Sequence, residues 1–256
     1  MSILKPLFGA VTTLKRMMSN SNSRFINLKS LAECYIDREG WQSFGRYCLQ
    51  KERGLKKPAL DAVQDFIAQQ ADRTVAEQRA LADELAGLVY ANPHIHALLA
   101  HPLKVYLQQV FSHWAEAQND DPRPHRWLGF LTFQQTLDRT FYQRALLIDP
   151  DDQISLRALV KADLDFVAFQ THHLSESRFL GELALAYQSL QDAEELIARL
   201  DDIAIREALH NDVVYFRQLL DRWATYTGLT TPLSFAEWCL EQGFDVNLGA
   251  VVYFNK

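Results

Sequence analysis

Apolar residues recur along this chain in steps of three and four, the spacing that gathers side chains on one face of an α-helix. Leu103, Tyr106, Leu107, Val110, Phe111, Trp114 and Ala117 make one such stripe, and Phe130, Leu137, Phe141, Ala145 and Ile148 read as a second. A third runs from Phe179 through Leu183, Tyr187, Leu190, Ala193 and Ile197 to Leu200, and a fourth from Ile205 through Leu209, Val213, Phe216 and Leu220 to Trp223. Residues 154–171 differ, because Leu159, Ala162, Phe166 and Phe169 mark one side while Leu156, Val160, Leu164 and Val167 mark another. A helix apolar over most of its circumference is predicted to lie in the middle of a fold.

Start and stop signals cut the pattern into roughly ten helices. Ser30 with Glu33, Thr74 with Glu77, and Ser234 with Glu237 have the spacing of capping boxes, in which a hydroxyl accepts from helix amides and the carboxylate reaches back. Prolines 58, 93, 102 and 232 fall where a helix would begin or in the turn before one, so their missing N–H costs little. After Gly243 the chain reads DVNLGAVVYFNK, which is too short for a sheet and predicts a short extended C-terminal tail packed on the body. The fold class expected is therefore all-α: stacked antiparallel helical hairpins, as an α-α superhelix or an irregular bundle. A turn at Asp121-Pro-Arg-Pro124 separates an N-terminal helical half, 1–122, from a C-terminal one, 123–256, which could also form one continuous domain.

Composition agrees, since 48% apolar and 23% charged residues are globular proportions, and 10 Gly with 8 Pro leave little for the turns of an all-β fold. The three cysteines, Cys34, Cys48 and Cys239, form no C-x-x-C pair and read as reduced, buried thiols of a cytoplasmic protein. No apolar run reaches the ~18 residues a membrane span requires. The charge is lopsided: residues 1–60 carry 11 Lys+Arg against 4 Asp+Glu (+7), and the remainder 15 against 28 (−13), for a net of −6. An acidic body repels phosphate backbones and draws basic protein partners. Within the basic region, Ile3, Leu4, Leu7, Phe8, Val11, Leu14 and Met18 fall at helical spacing beside Lys5, Lys15 and Arg16. That segment reads as a first helix docked on the body, or alternatively as a membrane-surface or nucleic-acid attachment.

One stretch carries a family pattern. In Phe141-Tyr-Gln-Arg-Ala-Leu-Leu-Ile-Asp-Pro-Asp-Asp152, an aromatic residue, an alanine three positions on and a proline five beyond that (Tyr142, Ala145, Pro150) resemble the second helix and exit of a tetratricopeptide repeat. Upstream, Trp127-Leu-Gly129 is similar to the Trp and Leu-Gly of that family's first helix. The resemblance spans half a repeat, and it implies a groove-forming helical array that binds a protein or peptide.

Candidate chemistry is sparse. No phosphate-binding Gly-rich loop, nucleophile elbow, zinc-protease motif or EF-hand series is present, and no cofactor is expected. The densest polar cluster is His172, His173, Glu176 and Arg178. His173 continues the Phe166/Phe169 stripe and reads as core-facing; His172 reads as a helix-end residue that can meet terminal carbonyls. His172 and Glu176 stand four apart, and Glu207 with His210 has Glu-x-x-His spacing, so these four residues are the candidate ligands of a metal-dependent helical-bundle enzyme. The leading expectation is a non-catalytic protein-binding module, such as a toxin-neutralising immunity protein or an adaptor, with a basic protein as partner.

Overall fold

The computed structural model describes residues 27–95, 98–136 and 138–244. Among them it contains eleven α-helices, one 3-10 turn and no strand, and neighbouring helices pack as antiparallel hairpins. The amphipathic segment Ile3–Met18, the tail after Phe244, His96 and Leu137 lie outside the described residues. Contacts divide the chain into two compact units, up to Val110 and from Phe111 onward.

The first unit opens with α1 (Leu28–Tyr35), followed by α2 (Gln42–Glu52), α3 (Lys56–Ala68) and α4 (Val75–Ala91). Asn27 caps α1: its side chain accepts from the Ser30 amide, and Ser30 Oγ accepts from the Asn27 amide. The expected Ser30/Glu33 box is thus replaced by one starting three residues earlier. Ser30 occupies the third helical position and has no role as the cap itself. The Thr74/Glu77 and Ser234/Glu237 boxes form as expected. α1 packs on α2 and α2 on α3, around an aromatic knot of Tyr35, Trp41, Phe44 and Phe66 whose ring centroids lie 4.9–5.6 Å apart. Gly45 permits the α1–α2 approach, since a Cβ there would sit 2.5 Å from the Ile36 nitrogen. Arg38, in the α1–α2 turn, forms a two-pronged ion pair with Glu84 of α4 and lies 4.7 Å over the Trp41 ring.

A fifth helix, α5 (His101–Ala117), spans the point in the chain at which the units divide, and Leu103, Leu107, Phe111 and Trp114 of its stripe are buried. The second unit continues with α6 (Pro122–Thr136), α7 (Thr140–Ile148), α8 (Gln153–Thr171), the 3-10 turn (Leu174–Glu176), α9 (Leu183–Ile197), α10 (Ile203–Thr227) and α11 (Phe235–Glu241). The stripe read from Phe130 to Ile148 is two helices and not one, because α6 stops at Thr136 and Arg139 precedes the first turn of α7. In the α6–α7 hairpin Gly129 faces the Tyr142 ring, where a Cβ would stand 2.8 Å from Cε1, and Ala145 is fully buried.

Helix α8 holds the centre, packing against α6, α7, α9 and α10. Leu156, Val160, Leu164 and Val167 join Ala186, Leu190, Ala193 and Ile197 of α9 and Val213 and Leu220 of α10 in one core. The Asp152 side chain caps α8 through the Ser155 amide and accepts from Arg126 at 2.7 Å. Deeper in the same helix, Asp163 is fully buried and takes both prongs of the Arg139 guanidinium at 2.6 and 2.9 Å. At one end of the α8–α9 hairpin, Gln153 donates to the Arg199 carbonyl and accepts from the Asp201 amide, tying two turns together. α11 seats on the 3-10 turn in a second core of Leu174, Leu219, Phe235, Trp238 and Cys239.

Candidate functional site

Only one of the two apolar stripes of α8 is spent on packing throughout. Leu159 is buried, but Phe166 is 40% exposed and Phe169 62% exposed, which corrects the expectation of a helix covered on both sides. The helix ends at Thr171, and His172 follows as its C-cap residue. The His172 ring donates through Nδ1 to the Phe169 carbonyl, one of the terminal acceptors that the ended helix leaves open. It also packs beside Phe169, with centroids 5.3 Å apart, and beside His173, at 4.0 Å. Phe169, His172 and His173 therefore form a run of three rings, with Phe166 one turn before it on the same helix.

His173 is not core-facing, contrary to its expected place in the Phe166/Phe169 stripe. Its side chain is 31% exposed, and Nδ1 lies 3.0 Å from Glu176 Oε1 across the 3-10 turn. Its carbonyl accepts from the amides of Glu176 and Arg178, at 2.9 and 3.1 Å, so Arg178 is positioned by its backbone while its side chain is exposed. Between them Ser177 adopts a left-handed conformation, φ 56°, and its hydroxyl accepts from the Phe235 amide at the start of α11 at 2.8 Å. The four binding candidates, His172, His173, Glu176 and Arg178, thus share one turn.

The proposed metal set does not assemble. Among the described residues no three His, Cys, Asp or Glu side chains converge as a metal site would require. The reason is local: the four-residue spacing of His172 and Glu176 aligns them only inside a continuous helix, whereas α8 has already ended. Glu176 meets His173 instead, and Glu207 and His210 sit exposed on α10.

Burial is the main cause of the pKa shifts of several other titratable groups. Cys48 and Cys239 are buried as expected, and desolvation pushes the Cys48 thiol up to about 12. Cys34 departs from expectation by being exposed; desolvation and then Glu33 raise its thiol, leaving little thiolate at neutral pH. His125 is buried with no hydrogen-bond partner on either ring nitrogen, and burial, followed by the Arg144 charge, lowers its pKa. Burial raises the Asp163 carboxyl above its ordinary range, and Arg139 pulls it part of the way back.

The sequence reading missed two features. A carboxylate at position 163, inside an apolar arc, demands a buried cation, and that demand was a legible signal for a partner such as Arg139. Exposure of Phe166 and Phe169 had no such signal, since periodicity reports apolarity and not whether a neighbour arrives. No described helix is long and apolar enough to cross a membrane. Comparison with protein-family models, curated proteins and solved structures gave no match.

Proposed function

We propose that this chain is a non-catalytic protein-binding module whose recognition surface is the ridge Phe166, Phe169, His172 and His173, bordered by Glu176 and Arg178. The observation that carries this reading is the pair of exposed phenylalanines on the central helix of the second unit, where large apolar side chains would otherwise be covered. Rings held against each other and against a helix end lose little rotamer freedom on binding, which suits them as anchors. Charge argues for the partner. Residues 61–256 carry 15 Lys+Arg against 28 Asp+Glu, and Arg126, Arg139, Lys161 and Arg217 are held by acidic neighbours. A polypeptide presenting apolar side chains within a basic stretch complements this surface.

Tetratricopeptide-like character belongs to the same proposal: the seat of Tyr142 against Gly129 and the burial of Ala145 support a close-packed hairpin of that type. So do the narrower roles of a cytoplasmic immunity protein that occludes a basic toxin, or of an adaptor, which rest on the acidic balance.

The test compares the wild-type chain with a Phe166→Ala/Phe169→Ala variant as baits for the same extract, at low and moderate salt. The expected result is a stoichiometric, net-basic protein retained by wild type, lost from the variant, and weakened by salt. Equal recovery by both baits, with unchanged thermal midpoints, would remove the ridge from the proposal. No stoichiometric partner under any condition would remove the proposal itself.

A further inference from the structure

The first unit holds an open apolar groove of about 420 Å³ between α3 and α5, lined by Gln64, Ile67 and Ala68 on one wall and by Pro102, Val105, Tyr106 and Gln109 on the other. Both walls are ridges at helical spacing, the arrangement into which a third amphipathic helix packs. Ala59, Ala62, Val63 and Phe66 already face the core on the opposite side of α3, so its outward apolar residues, Ile67 and the 43% exposed Leu60, are surplus to the unit's own packing. In the groove wall the Tyr106 hydroxyl is buried and has no hydrogen-bond partner, and desolvation pushes its pKa up to about 12. The groove is therefore apolar and walled by two helices, with one hydroxyl lacking a hydrogen-bond partner.

We infer that the occupant of this groove is the chain's own amphipathic segment Ile3–Met18, docked intramolecularly. Its stripe of Ile3, Leu4, Leu7, Phe8, Val11, Leu14 and Met18 matches an apolar trough, and it carries Lys5, Lys15 and Arg16 with no acidic residue. Asp61, one helical turn before Gln64 of the groove wall, is exposed and offers these cations a counter-charge, whereas Asp65 is already paired with Arg46 at 3.8 Å. Reach is sufficient. Ser19–Ile26, eight residues between the stripe and Asn27, can extend to about 27 Å. α1 packs on α2 and α2 on α3, and two such helix spacings separate axes by about 20 Å at most.

The test is hydrogen exchange on the full chain. Amides of residues 3–18 are expected to exchange at least about tenfold more slowly than an unstructured peptide of the same sequence, and to lose that protection in Ile67→Asp/Val105→Asp. Leu7→Asp/Val11→Asp should release the segment equally while leaving the groove intact, which separates undocking from damage to the body; in both variants α2 amides keep their wild-type rates. Protection that falls on dilution from 100 to 1 µM, as on the order-of-magnitude scale of mass action, would assign the groove to a second copy and overturn the intramolecular proposal. So would residues 3–18 exchanging freely in the wild type, or staying protected in the groove variant. Binding of the wild type to anionic vesicles with the groove variant no tighter would show the segment already undocked, and would likewise overturn it.

Discussion

Arg139→Met isolates the most deeply buried charge in the second unit. The Asp163 side chain is 1% exposed and receives two guanidinium N–H bonds, at 2.6 and 2.9 Å, while the arginine itself is 34% exposed. Breaking a wholly buried pair by removing one partner costs about 3–5 kcal/mol, because the remaining charge is left in low dielectric. Water can reach part of the site that Arg139 vacates, so the lower end, about 3 kcal/mol, is expected. For a unit of this size that corresponds to a fall of about 6–12 °C in the thermal midpoint, read by calorimetry. The double variant Arg139→Met/Asp163→Leu should recover most of the loss, because an apolar pair of similar volume removes the stranded carboxylate. The pH dependence follows from the raised carboxyl pKa. A carboxyl whose folded pKa lies above its unfolded value holds its proton more tightly when folded, so stability falls as pH rises through that window. Without Arg139 the folded pKa rises further, and the variant's deficit should be largest near neutrality and shrink on acidification. A deficit under about 1 kcal/mol at neutral pH, or a double variant as unstable as the single one, would refute the assignment of Arg139 as the compensating charge.

Smaller perturbations test the rest of the description. Asn27→Ala should cost α1 about 1 kcal/mol while Glu33→Ala is silent, measured by thermal denaturation. Gly45→Ala should be worse than Gly129→Ala: the first Cβ meets the Ile36 backbone, which cannot swing aside, and the second meets a tyrosine ring that can shift, at a cost of about 1–3 kcal/mol. Glu77 and Glu237 are held below their ordinary pKa, first by the cap hydroxyls and then by the cap amides. Their contribution to the starts of α4 and α11 is present above the ordinary glutamate pKa and lost as pH falls through the lowered one. Carboxyl titration by NMR checks it: Thr74→Ala and Ser234→Ala remove the cap hydroxyl and should move each glutamate back towards its ordinary value, the retained cap amide keeping part of the shift.

The legible parts of the fold were those written by neighbours in sequence. Thr74/Glu77 and Ser234/Glu237 declare their helix starts within four residues, and the stripe ending at Ile197 and Leu200 carries its own period. Errors arose where two readings share one pattern. Ser30 is as good a cap by type as Asn27, and only the backbone decides which residue stands outside the helix. Phe130 to Ile148 kept a plausible period across a break at Arg139, because a short turn can preserve spacing by accident. The candidate site suffered most from a helix end: His172 and Glu176 align only if α8 continues, and whether Phe166 and Phe169 are covered depends on which distant segment packs there.

Ser177 has a consequence for how occupancy of the histidine turn would be felt elsewhere. Its hydroxyl receives the first amide of α11, and Leu174, one residue past His173, is buried against Phe235 and Trp238. A ligand that rotates His173 or draws Glu176 away must either leave this seat undisturbed or shift the indole above it. Trp238 is thus a native optical gauge in the seat of the histidine turn, and its emission, isolated by replacing the other four tryptophans, would register events at that turn without an added label.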